Sequence, residues 1–192
     1  MNNRHLILLD MDNTIVDFDG RFHEMVTSIL SAEAIQAWDK SKYWIEDSFP
    51  KEHHKSIHSL IKSEGFFLHM APKEGALEAI QEMLDEGYDV KLCTSPHGGS
   101  EYCIDEKKEW VKKYLGQKFV DEMIFSHDKT EVTGHVLIDD RDDIISKGKH
   151  TPNWTQILFH ANYNQTDDTM PRLTEWSNWK DVLYLILKKD SQ

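Results

Sequence analysis

Four consecutive apolar residues, Leu6–Leu9, run directly into Asp10-Met11-Asp12-Asn13-Thr14. An apolar run of that length bounded by polar residues reads as a buried strand. A strand places residues two apart on one side, so both carboxylates emerge together. Two such acids repel each other unless a cation sits between them, and a buried sheet has no packing use for the pair. Taken alone, the pair also fits a helix N-cap or a solvated turn.

The rest of the chain repeats the theme. Short apolar runs at Val90–Cys93, Met123–Phe125, Val136–Ile138 and Ile157–Phe159 read as further strands, with helix patterns or turns between them. That alternation predicts an α/β fold with a mostly parallel sheet. The stretch Glu74–Glu86 carries Ala76, Leu77, Ile80, Met83 and Leu84 along one side of a helix that Gly87 stops. Cys103–Leu115, closed by Gly116, reads as a charged surface helix apart from Lys107, and Trp176–Lys188 reads as a terminal helix docking on the core. Asn162–Thr174 is polar and irregular, a surface loop.

Between the first two strands lies more chain than one crossover helix needs, including the segments Phe22–Ile35 and Tyr43–Phe67. The excess predicts a small helical cap of residues 17–71 inserted into a core of residues 1–16 and 72–192. In open α/β sheets ligands bind at the carboxyl ends of the strands, where such a cap can close over them.

Charge and composition narrow the partners. With 22 basic against 34 acidic side chains the net charge is −12, which argues against a nucleic-acid polymer as ligand. An anionic small substrate would need cations concentrated at one site. No apolar run reaches the length of a membrane span, so no membrane partner is expected. Two cysteines, Cys93 and Cys103, are too few for a disulfide framework or zinc cluster and point to a reducing, cytoplasmic setting.

Three further segments bear on chemistry. Thr94-Ser95-Pro96 ends a predicted strand and offers hydroxyls and backbone N–H groups to an anion, although Thr-Ser-Pro is also an everyday turn. Lys107 and Lys129 are candidates to hold that anion, against a background in which most lysines are solvated. Val136–Ile138 runs into Asp139-Asp140, a second acid pair at a strand end. Together these bring acids, hydroxyls and acids to one sheet edge. Mg²⁺ takes an octahedral oxygen shell of carboxylates, waters and phosphate. A carboxylate beside a bound phosphate can attack it to give an aspartyl-phosphate, while a second acid protonates the leaving oxygen. His53, His54 and His58 lack a supporting Glu-x-x-His motif or cysteine and read as a solvated cap face.

Asp-x-Asp-x-Thr, a Thr/Ser strand end, a lysine and a late Asp-Asp resemble the four motifs of the haloacid dehalogenase superfamily. Nearly the whole chain is similar to its 5′(3′)-deoxyribonucleotidases, through Asp17-Phe18, Gly65-Phe66-Phe67, Pro72-x-x-Gly75-Ala76, Cys93-Thr94-Ser95-Pro96, Glu106-Lys107-x-x-Trp110-Val111, Asp128-Lys129-Thr130, Leu137-Ile138-Asp139-Asp140 and Trp154-x-x-Ile157-Leu158-Phe159. The resemblance is weakest from Gly20 to Glu64.

It implies a HAD-like doubly wound fold and a Mg²⁺-dependent phosphomonoesterase acting on deoxyribonucleoside monophosphates. Asp10 would be nucleophile and metal ligand, Asp12 the general acid/base that also gives its backbone carbonyl to the metal, and Asp140 the third protein ligand. Asp139 would orient a lysine or water. Thr94, Ser95 and Lys107 would hold the phosphate and Lys129 the phosphate side of the nucleotide, with Phe18, Tyr43, Trp44 and Phe67 around the base. Two places depart from mammalian-type members: His127 stands where a basic residue precedes the Asp-Lys-Thr lysine, and the basic loop after Thr-Ser-Pro is here His97-Gly98-Gly99-Ser100-Glu101. The alternatives are a phosphatase for another small phosphoester, such as a sugar phosphate, and a non-catalytic ligand-binding protein on the same scaffold. A homodimer is left open.

Overall fold

The computed structural model describes residues 5–166 and 169–189. The parts of the expected core at residues 1–4 and 190–192, and Asp167-Asp168 of the expected loop, lie outside the described residues.

In chain order the elements are β1 (Leu6–Leu9), α1 (Phe18–Val26), α2 (Ala32–Gln36), two 3₁₀ turns (Ile45–Ser48 and Lys51–His53), α3 (His54–Ile61), α4 (Ala76–Asp85), β2 (Asp89–Thr94), α5 (Cys103–Tyr114), α6 (Gln117–Asp121), β3 (Ile124–Phe125), a 3₁₀ turn (Lys129–Glu131), β4 (Val136–Asp139), α7 (Ile144–Lys147), β5 (Thr155–Phe159), β6 (Arg172–Leu173), a 3₁₀ turn (Trp176–Asn178) and α8 (Trp179–Lys189). The strands form one sheet in the order β3-β2-β1-β4-β5-β6, and each neighbouring pair is parallel.

Burial explains why β1 is apolar throughout. Leu8 packs with Cys93, Leu137, Ile144 and Trp154 on one face of the sheet, while Ile7 and Leu9 join the main core that runs on to Phe22, Trp38 and Ile57. A parallel strand covered on both faces has no polar position to alternate with. Because β1 lies between β2 and β4, their carboxyl ends converge at one place on the sheet edge.

The segment between β1 and α4 leaves and rejoins the sheet at adjacent points: the Asp17 N–H donates to the Ala71 carbonyl (2.8 Å) and the Lys73 N–H to that of Ile15 (2.9 Å). Within it, the segment Phe22–Ile35 takes in the end of α1 and most of α2. Helix α1 starts at Phe18, where the Asp17 side chain caps it by accepting the Gly20 N–H. Among the described residues no helix is long and apolar enough to cross a membrane.

The segment expected as a loop, Asn162–Thr174, contains strand β6. Arg172 and Leu173 pair with Leu158 and Phe159 of β5, and Leu173 is fully buried. Two residues carry no periodicity; the unpaired edge of β5 is what makes them a strand. The tail then docks as expected. The Trp176 indole N–H donates to the Thr14 carbonyl (3.0 Å), and Gly75 turns at φ 74° with its missing Cβ position only 3.3 Å from Trp176 Cβ.

Candidate active site

Asp10 directly follows β1 and continues its ladder, donating its N–H to the Ile138 carbonyl (3.0 Å). Asp139 ends β4, and Asp140 follows it. One carboxylate oxygen of each of these three acids lies within 4.8 Å of the others, and all three are buried. Lys129 comes from the 3₁₀ turn after β3, whose start is capped by the Asp128 side chain accepting the Thr130 N–H. Its Nζ donates to Asp10 Oδ1 and to Asp139 Oδ2 (2.5 Å).

Burial pushes the Asp139 carboxyl up to about 6 against the pull of Lys129. Burial, with Asp139 and Asp10 beside it, raises that of Asp140 well above the usual carboxylate range. Burial also works against the Lys129 charge, but Asp10 and Asp139 outweigh it and hold its pKa above the ordinary value. One ammonium therefore faces three buried carboxylates. The uncompensated charge, presented by hard oxygen donors in a cluster of this size, fits a divalent cation.

Asp12 sits across from this cluster. Lys107, fully buried on α5, donates to Asp12 Oδ2 (2.7 Å), Thr94 Oγ1 (2.9 Å) and the Ser95 carbonyl (3.2 Å). The Ser95 hydroxyl is itself engaged, donating to the Ser126 carbonyl (2.8 Å). Burial raises the Asp12 pKa, opposed by Lys107. Its Oδ1 is buried and has no hydrogen-bond partner. A carboxyl that keeps a proton more readily than usual and has one oxygen uncommitted is suited to proton transfer.

A cleft opens above the acids. Asp12 and Asp140 line it together with Phe18, Tyr43, Trp44 and His97. Phe67, expected beside Phe18, is fully buried and is not among the lining residues. It backs them instead, with its ring 6.4 Å from that of Phe18 and 6.0 Å from His97, and Lys107 Nζ 5.5 Å from its centre.

Helix α5 departs from its expected role as a surface helix. Glu106 is buried and accepts the N–H groups of Gly65, Phe67 (3.0 Å) and Leu68 (3.2 Å), while the Trp110 indole donates to the Met70 carbonyl (2.8 Å). The charge run hid this, because a carboxylate that satisfies three backbone donors looks the same in sequence as a solvated one. His54 and His58, between β1 and α4, are engaged locally: His54 Nε2 lies 2.9 Å from the Phe49 carbonyl and His58 Nε2 3.3 Å from Glu46 Oε1.

Residues 4–190 match the family described as "5' nucleotidase, deoxy (Pyrimidine), cytosolic type C protein". The chain is 36% identical over 187 residues to the human mitochondrial 5′(3′)-deoxyribonucleotidase, covering 92% of this chain and 81% of that one. It is 34% identical over 191 residues to the human cytosolic-type 5′(3′)-deoxyribonucleotidase, covering 92% of each. The chain belongs to the 5′ nucleotidase, deoxy (pyrimidine), cytosolic type C family. Its fold is that of the HAD hydrolases: a HAD family hydrolase from Deinococcus radiodurans, solved with bound phosphate and sodium, superposes with a TM-score of 0.60 at 12% identity over 95% of this chain and 96% of that one.

Within this deoxyribonucleotidase frame, one departure falls at the cleft and one outside it. His97 lines the cleft, burial lowers its pKa, and its Nδ1 is buried without a partner; His127 is exposed. The structure also adds contacts that sequence reasoning missed. The Thr14 hydroxyl donates to Asp140 Oδ1 (3.3 Å), the Tyr163 hydroxyl donates to Asp140 Oδ2, and Asn164 Nδ2 donates to the Asp140 carbonyl (2.7 Å). Tyr163 and Asn164 follow β5, beside β4. A signal was present: three neighbouring strand ends carried polar groups to this edge, and the fourth did too.

Proposed function

We propose that this protein is a 5′(3′)-deoxyribonucleotidase, hydrolysing deoxyribonucleoside monophosphates to nucleoside and inorganic phosphate. The observation that carries the reading is the cleft itself, lined by Asp12, Asp140 and aromatic side chains, with Asp140 clustered with Asp10 and Asp139, in a member of this family. In this reading residues 17–71 act as the cap that selects substrate.

Asp10 attacks phosphorus, forming an aspartyl–phosphate bond as the ester P–O bond breaks, and Asp12 gives its proton to the departing sugar oxygen. Asp12 then takes a proton from a water that attacks the aspartyl-phosphate, releasing inorganic phosphate and restoring Asp10. Thr94, Ser95 and Lys107 hold the phosphate. Lys129 holds Asp10 in place, and Asp139 orients Lys129. Asp10, Asp140 and the Asp12 backbone carbonyl would hold Mg²⁺, which would supply charge neutralisation for the phosphate oxygens. Phe18, Tyr43 and Trp44 offer faces on which a base can stack. A reducing, cytoplasmic setting suits the two free, buried cysteines.

A panel of phosphomonoesters assayed with magnesium and with chelator tests this. Deoxyribonucleoside monophosphates should give the highest kcat/KM, chelator should abolish it, and rapid quench should trap a phosphoenzyme. A sugar phosphate turned over better than every nucleotide would overturn the substrate assignment. Absence of turnover on any ester, with binding intact, would mark the chain as a non-catalytic binder.

A further inference from the structure

Asn13 is, among the described residues, the one non-glycine residue at positive φ (57°). Its side-chain amide is fully used: Oδ1 accepts the Asp19 N–H (3.1 Å), and Nδ2 donates both to Asp19 Oδ1 (3.0 Å) and to the Tyr163 hydroxyl (3.2 Å). A phenol has a single proton. With its oxygen already receiving the Asn13 N–H, Tyr163 directs that proton to Asp140 Oδ2. Thr14 and Asn164 hold the other carboxylate oxygen and the backbone carbonyl of Asp140. The Tyr163 ring in turn stands edge-on to Tyr43 of the cap, with centroids 5.3 Å apart.

We propose that Tyr163 and Asn13 are a positioning pair that sets the Asp140 carboxylate for its cation, Asn13 acting through the Tyr163 hydroxyl. The inference rests on the reading of Asp140 as a metal ligand. Ligating carboxylates are themselves hydrogen-bonded, and removing such a partner typically costs about 10–100-fold in metal affinity. Asn13 is well suited to a test, because glycine takes a φ of this sign without strain. Asn13→Gly therefore removes both amide donors while leaving the turn its conformation. Tyr163→Phe removes the hydroxyl and leaves the ring against Tyr43.

The experiment titrates magnesium alone, calorimetrically, into chelator-treated protein without substrate. Tyr163→Phe should weaken binding about tenfold and Asn13→Gly by roughly threefold. The double variant should match Tyr163→Phe to within about twofold, because two changes acting through one hydroxyl do not add. Thermal unfolding of each variant accompanies the titration; a purely structural role would lower the midpoint without changing the affinity of the folded protein. Unchanged or tighter magnesium binding in Tyr163→Phe overturns the pairing, as do losses that multiply in the double variant. Should Tyr163→Phe fail to fold, unchanged affinity in Asn13→Gly overturns it instead. Asp140→Asn separates the two levels. If it binds magnesium like the native protein, the reading of Asp140 as a ligand fails and the inference with it; if it loses binding while Tyr163→Phe keeps it, only the inference fails.

Discussion

At the sheet edge Asp10, Asp139, Lys107 and Lys129 are nearly inaccessible, with Lys107 paired to Asp12 and Lys129 shared between Asp10 and Asp139. Across the cleft Tyr43 and Trp44 stand 37% and 53% exposed and hold each other through a ring contact at 4.9 Å. The edge is costly to alter, since removing one member of a buried ion pair strands the other. Trp44, the more exposed of the two, is cheaper to alter, whereas Tyr43 also packs against Tyr163 and Arg141. In the proposed function, chemistry sits on the first and selection on the second, so that substrate preference could change without disturbing the acids.

The most severe test of that division is Asp10→Asn, which should cut kcat about ten-thousand-fold or more while the chain still folds; measurable turnover near the native rate would move the nucleophile elsewhere. Next is Lys129→Met, which leaves Asp10 and Asp139 facing each other without their cation. We expect it to lower unfolding free energy by about 3–5 kcal/mol, read from denaturant melts, and a neutral result would mean the edge is less rigid than its contacts imply.

On the aromatic side of the cleft, Trp44→Ala should raise KM for nucleotides about tenfold, within the roughly 1–3 kcal/mol that one stacked base contributes. Its stability should change by no more than about 0.5 kcal/mol. Equal effects on a nucleotide and on a small aryl phosphate would remove Trp44 from the base wall. Glu106→Gln probes the joint between the two regions: weakening three backbone hydrogen bonds should cost about 1–3 kcal/mol in thermal or denaturant unfolding.

The smallest effect concerns Asp128, whose carboxyl is held below its ordinary value chiefly by the Thr130 hydroxyl. A depressed folded pKa contributes stability above the unfolded pKa, near 4, and that contribution is lost as pH falls through the folded value. The stability gap between the native chain and Asp128→Asn should therefore close as pH drops below about 4. A gap that widens on acidification would reverse the assignment.

Legibility in sequence followed the range of the interaction. The strand runs at Leu6–Leu9 and Val136–Ile138 were readable because burial on both faces requires unbroken apolarity, and the acids at their ends stood out against it. Strand β6 was not readable, because its two residues are strand only by pairing with Phe159 and Leu158. Glu106 was misread for a related reason: its partners, Gly65, Phe67 and Leu68, lie about 40 residues away in the chain.

By itself the sequence determined the α/β alternation, the convergence of Asp10, Asp12, Thr94, Asp139 and Asp140 on one edge, and family membership, because strand period and motif spacing are local properties of the chain. The tertiary structure alone decided the partners. It set Lys107 against Asp12 and Lys129 between Asp10 and Asp139, moved Phe67 behind the cleft rather than into its wall, and brought Tyr163 onto Asp140 from 23 residues away. Which buried charge meets which cation depends on the order in which strands lie side by side, and that order is written in no single segment.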